Sequence, residues 1–139
     1  MRAPAPIAAA LAAILAAGAC DRAAPEADAE ANGRQYTQWF YGQDFDRLWE
    51  RFSPEMKQTF PTSAELARFA GTTVAELGAE QGTPTERVME EESVTVYTRL
   101  ASFERAPQPV LLQWTLARDG KVTGFIVRPA TADSLRQQP

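Results

Sequence analysis

Five side chains on three candidate strands have the types that could do chemistry: Tyr97, Arg99, Gln113, Trp114 and Arg128. A phenol, two guanidinium groups, an amide and an indole can orient a ligand at a cavity mouth or meet a partner protein. A plainer reading stands beside this one, in which Arg99 and Arg128 point outward from a sheet and pair with glutamates. The chain contains no histidine. That excludes a Ser-His-Asp or Cys-His pair and any His-ligated metal site. No G-x-S-x-G, P-loop or G-x-G-x-x-G motif is present. Glu90-Glu91-Glu92 gathers three carboxylates but lacks the spaced oxygen ligands of a calcium loop, so a solvated turn is expected there. The residues therefore point to no catalytic group, no metal and no cofactor.

Charge narrows the partners. The 139 residues carry 14 Lys and Arg against 18 Asp and Glu, a formal net charge of −4. Nucleic acid is not an expected partner, because binding it needs a basic face to displace counterions from phosphates.

The one cysteine, Cys20, follows Met1–Ala19, which reads as an export signal. Arg2 is a minimal positive start, and Ile7–Ala17 is an apolar run too short to span a bilayer. Ala17-Gly18-Ala19 fits the small-residue site of ordinary signal peptidase. Ala17-Gly18-Ala19-Cys20 also resembles a bacterial lipobox, with Ala17 where Leu is usual, which implies lipidation of Cys20 and a palmitate-bearing anchor. A lone thiol in an oxidising compartment is a liability that thioether formation removes, and this favours the lipobox. The expected location is the cell envelope, facing the periplasm. Asp21 resembles an enterobacterial inner-membrane retention signal, and because that rule varies between bacteria both membranes stay open.

Residues 20–32 are poor in aromatic and β-branched side chains and rich in carboxylates, so a flexible tether is expected, reaching about 20 Å. The Ala and Glu content also suits a nascent helix. From Gly33 the pattern turns helical. Tyr36, Trp39 and Phe40 come first, Gly42-Gln43 interrupts, and Asp44 can cap a second helix. Phe45, Leu48, Trp49 and Phe52 then share one face. Ser53-Pro54-Glu55 starts a third helix that ends at Phe60-Pro61. Thr62-Ser63-Ala64-Glu65 is a capping box for a fourth, with Leu66, Phe69, Thr73 and Leu77 as its apolar face and Gly78 at its end.

After Gly82-Thr83-Pro84, read as a breaker, the period shortens to 2. Strands are expected over Thr85–Glu91, Val94–Phe103, Val110–Ala117 and from Val122 to an end at Pro129, joined as an antiparallel meander. Asp119-Gly120 is a hairpin turn that allows two registers. A two-residue turn pairs Trp114 with Phe125, whereas a Gly bulge pairs Trp114 with Gly124. Residues 131–139 read as a disordered tail.

Helices first and strands after is an α+β order. Phe45–Phe60, the helix around Leu66–Leu77, and Asp119–Pro129 (DGKVTGFIVRP) carry a resemblance over about residues 34–130. They resemble the nuclear-transport-factor-2-like, or cystatin-like, cone, and within it a bacterial domain-of-unknown-function family found alone in exported proteins or in front of hydrolase domains. The resemblance implies N-terminal helices packed on a curved antiparallel sheet of about four strands, spanning 33–130. These motifs are fold signatures, not catalytic ones. Some cone-shaped relatives are isomerases with an Asp base and a Tyr donor. Here Asp44, Asp46, Tyr36, Tyr41 and Tyr97 are available, but no spacing singles out a pair. The expectation is a membrane-tethered, non-enzymatic domain that binds or scaffolds a protein, with a homodimer as one form. The alternative is a carrier or isomerase-like enzyme for a small apolar ligand held in the cone interior.

Overall fold

The computed structural model describes residues 25–136, with side chains from Asp28 onward. Four helices precede a four-stranded antiparallel sheet and one short helix follows it, an α+β arrangement. The helices are α1 (Pro25–Tyr41), α2 (Phe45–Glu50), α3 (Pro54–Thr59) and α4 (Ser63–Leu77). The strands are β1 (Glu80–Glu91), β2 (Val94–Phe103), β3 (Val110–Ala117) and β4 (Val122–Pro129), in sheet order β1-β2-β3-β4. Helix α5 (Ala132–Arg136) closes the described chain.

The core forms where the aromatic stripe of α1 and α2 meets one face of the sheet. Tyr36, Phe40, Leu48, Phe52, Leu66, Leu112, Trp114 and Leu116 are almost completely buried. Their rings meet edge-on or tilted. Trp114 lies 5.9 Å from Phe40, 6.1 Å from Tyr36 and 5.4 Å from Phe125 between centroids. The helices approach closely at Gly33, where an added Cβ would lie 2.2 Å from the Tyr97 ring. Only glycine admits that contact between α1 and β2.

Local signals set most boundaries. Ser53 accepts a hydrogen bond from the Met56 backbone N–H, with Pro54 opening α3. Thr62 and Glu65 close the expected capping box on α4. Gln43, with φ of 59°, turns the chain between α1 and α2. The strands over 94–103 and 110–117 have the expected bounds. The β3–β4 hairpin uses both expected registers in succession. Gly120 N–H donates to the Ala117 carbonyl, Ala117 N–H to the Lys121 carbonyl, and Gly120 has a φ of 80°, so the turn itself is the Gly-bulge form. A second bulge shifts the register between Thr115 and Leu116, so beyond it Trp114 faces Phe125.

Several expectations are corrected. Helix α1 starts at Pro25, so 25–32 is helical where a tether was expected, and Ala29 is buried in the core. The alternative of a helix over these Ala- and Glu-rich residues holds because the sheet end gives them something to pack against. Asp44 occupies the N-cap position of α2 but its side chain makes no capping bond, facing Arg47 at 3.4 Å instead. The buried face of α4 is Leu66, Ala70 and Val74, while Phe69 is 62% exposed. Gly82-Thr83-Pro84 does not end before a strand. It lies inside β1 as an irregularity between Gln81 and Thr85, with φ of 71° at Gly82. Ala132–Arg136 forms a helix, where Thr131 caps by accepting from the Ser134 N–H, so the tail expected from 131 is ordered at its start. The export signal, Cys20 and residues 137–139 lie outside the described residues.

Candidate functional site

Sheet alternation sorts the expected site residues onto two faces. On the helix-covered face, β2 presents Tyr97 and Arg99, β3 presents Leu112 and Trp114, and β1 presents Glu86 and Val88. Gln113 and Arg128 point to the opposite, outer face. The structure thus brings Tyr97, Arg99 and Trp114 together and separates them from the other two.

Trp114 and Tyr97 are both sealed from solvent. The indole Nε1–H of Trp114 donates to Thr37 Oγ1 at 3.0 Å, and the Thr37 hydroxyl donates to the Gly33 carbonyl at 2.7 Å. A buried tryptophan thereby has its one donor satisfied. Neither side chain can meet a partner while the helices are in place.

Tyr97 opens onto a polar cluster that the sequence reading missed. Its hydroxyl donates to Glu86, which also accepts two bonds from Arg34 Nε and one from Arg34 Nη2 at 2.7 Å. Arg99 bridges Glu86 at 2.9 Å and Glu80 at 2.6 Å. Arg34 also reaches Glu30 at 2.5 Å. Arg99 is therefore paired with glutamates as the plainer reading had it, but on the inward face. The sequence signal was the alternation of Glu86 with Val88, which places both on one side of a strand.

The cluster's electrostatics suit anchoring, not proton transfer. Hydrogen bonding from Arg34, opposed by burial and reinforced by Tyr97, holds Glu86 down at about 2. A carboxylate that resists protonation to that degree is a poor general base near neutrality. Burial, together with the Glu86 hydrogen bond, pushes Tyr97 up to about 12. Tyr41, beside Phe103, is raised above the ordinary phenol value chiefly by burial, and its hydroxyl has no hydrogen-bond partner among the described residues. Tyr36, the other candidate phenol, donates to the Gly120 carbonyl at 2.6 Å and so fixes the hairpin turn. Asp46 accepts from Ser63 across the α2–α4 contact. The Asp and Tyr candidates thus fall into separate structural contacts and make no acid–base pair.

The outer face has a different character. From β2 it presents Val96, Thr98, Leu100 and Ser102, and from β3 Leu111, Gln113 and Thr115. None of the seven is charged. Val96 and Leu111 are buried although they join neither core cluster beneath the helices. On the edge strands Met89 and Ile126 are exposed beside Arg87 and Arg128. Among the described residues Arg128 reaches only the Pro129 carbonyl, at 3.4 Å. The helix contacts described above fall on the other face: Gly33 on Tyr97, Tyr36 and Phe40 on Trp114, Phe52 and Phe60 on Phe125.

Among the described residues no helix is long and apolar enough to cross a membrane, and no group of His, Cys, Asp and Glu could hold a metal ion. No family model matches the chain, and neither a curated protein nor a solved structure shows significant similarity to it.

Proposed function

We propose that this chain is an exported, membrane-tethered binding domain without catalysis of its own, which engages a protein partner through the outer face of its sheet. The observation that supports this most is the run of seven uncharged outward residues on the two central strands. A solvated antiparallel face ordinarily alternates with charged or strongly polar residues. Four strands about 4.8 Å apart and about eight residues long make a patch of roughly 500 Å². Covered on both sides, that reaches the lower bound of about 1,000 Å² for a specific interface. Arg87 and Arg128 stand at its margins, where rim charges set orientation and rate more than affinity.

The competing expectation, a carrier or isomerase for a small apolar ligand, needs room inside the cone. Trp114, Tyr36, Phe40 and Phe125 fill that space.

A photo-crosslinker at Gln113, set against one at exposed Glu104, tests the face. Protein adducts at 113 and none at 104 are expected, and the adduct separates a foreign partner from a second copy of this chain. No adduct at 113, with a thermal shift on adding apolar metabolites, transfers the assignment to the interior. The anchor has its own check in metabolic palmitate labelling. Label should be incorporated by the natural chain and lost in Cys20→Ala, and label retained in the variant removes the anchor.

A further inference from the structure

The two edges of the sheet are built differently. Strand β1 is irregular between Gln81 and Thr85, holds Pro84 and carries Glu86, Arg87, Glu90 and Glu91. Irregularities, prolines and charges are the usual means of keeping an edge strand from pairing with another chain. Strand β4 has none of these over Gly124-Phe125-Ile126-Val127. Among the described residues its open side is bonded only at the start, where Val122 N–H donates to the Arg51 carbonyl and Ser53 N–H to the Val122 carbonyl.

The direction of the remaining backbone groups follows from one bond. Ala130 N–H donates to the Pro109 carbonyl, so Ala130 turns toward β3. In an antiparallel ladder that direction alternates. Arg128, Ile126 and Gly124 therefore also turn toward β3, whereas Val127 and Phe125 turn their N–H and C=O groups to the open side. Among the described residues no backbone hydrogen bond reaches them there. Two uncovered apolar side chains flank the same line. Ile126 is 44% exposed on the outer face, and Phe69 is 62% exposed on the helical side, its ring 6.3 Å from that of Phe125.

This edge is complementary to itself. In an antiparallel pair of two copies centred on Ile126, Phe125 of each faces Val127 of the other, and every open N–H finds an open carbonyl. The neighbouring symmetric registers are poorer. Centring on Val127 sets Phe125 opposite Pro129, which has no N–H to give. Centring on Phe125 sets Val127 opposite Thr123, next to the bonds that already fill the edge at Val122. The Ile126-centred register also sets Arg128 opposite Gly124, so the two guanidinium groups do not meet. Val127 of the second copy then lies beside Phe125 on the helical side, toward Phe69, and the two Ile126 side chains meet on the outer face. We propose that β4 pairs antiparallel with β4 of a second copy in this register, joining the two four-stranded sheets edge to edge. The edge pairing does not depend on what the outer face binds.

Cysteine pairs in the full chain carrying Cys20→Ala, which removes the one native thiol, test the register. Facing residues of a non-hydrogen-bonded pair have Cα atoms about 4.5 Å apart, within disulfide reach. Mild oxidation should link Ile126→Cys to its own counterpart. Arg128→Cys alone should stay unlinked, its counterpart being about 14 Å away. Mixed with Gly124→Cys it should link, and an added Cβ at Gly124 meets only Thr115, at 3.8 Å. Sedimentation equilibrium should show a concentration-dependent dimer. Ile126→Lys, which sets two ammonium groups on the twofold, should weaken association about tenfold or more with the melting temperature unchanged. Should that variant disturb the fold, the cysteine pairs decide alone. A chain monomeric at every concentration overturns the proposal, as does a dimer that a folded Ile126→Lys leaves intact. Links formed by Arg128→Cys alone, or by Gln113→Cys in place of Ile126→Cys, overturn it too, because the copies then meet in another register or face to face.

Discussion

At the scale of single residues, Glu86 ties three elements together, and its behaviour with pH follows from its partners. Its pKa is depressed from 4.5 to about 2 in the folded chain. The stability it supplies is present above the unfolded value and is lost as pH falls from about 4.5 toward 2. Glu86→Gln should therefore cost about 1–2 kcal/mol at pH 7, between the values for surface and buried ion pairs. In urea titrations the gap to the natural chain should close by pH 2. Thr37→Val leaves the Trp114 indole N–H buried without an acceptor, and should cost about 1–3 kcal/mol by the same measurement. The pairing of Arg99 with glutamates was legible in the sequence, but the convergence of Arg34 and Tyr97 on Glu86 and the Thr37–Trp114 bond were not. Tyr97, Arg99 and Trp114 could be recognised as unusual strand residues. Glu86 and Thr37 belong to other elements, and only the register of β1 and the angle of α1 bring them near. The hairpin register was undecidable for a related reason, because the second bulge has no turn-residue signature and follows from packing Phe125 against Trp114.

At the scale of elements, two caps that look alike in sequence separate in structure. Thr62 exchanges hydrogen bonds with Glu65, so Thr62→Ala should lose about 1 kcal/mol of stability. Asp44 makes no capping bond, so Asp44→Ala should stay within about 0.5 kcal/mol in parallel denaturation curves. The capping box could be read correctly because both partners sit three residues apart. The single Asp could not, because its geometry depends on how Gln43 turns the chain. The stripe of α4 shows the same limit. Its periodicity alone allowed Leu66-Phe69-Thr73-Leu77, but the helix buries small Ala70 against its neighbours. It leaves Phe69 outward, where the ring rests on Phe60 at 5.3 Å and Phe125 at 6.3 Å.

At the scale of the whole molecule, one core serves every long element. Residues of α1, α2, α4 and all four strands belong to it or pack on it. The short bridge of Phe52 to Val122, flanked by Ser53 N–H to the Val122 carbonyl at 2.8 Å, ties the helical layer to an edge strand as well. Unfolding should therefore be a single cooperative transition, with tryptophan fluorescence and far-ultraviolet dichroism giving coincident curves. Two separated transitions would show that helices and sheet are independent units. The architecture itself was readable, since helices with an aromatic stripe must roof a greasy ribbon. The reach of α1 was not, because its first turns have few large apolar residues to mark them.

That reach has a mechanical meaning. From Pro25 to Asn32 the backbone is a rod of about 12 Å, at 1.5 Å per residue, running straight into the Gly33–Tyr97 junction. A slack leash would swallow a tug on residue 25. A helical rod instead passes it to the contact of Gly33 with Tyr97 on β2.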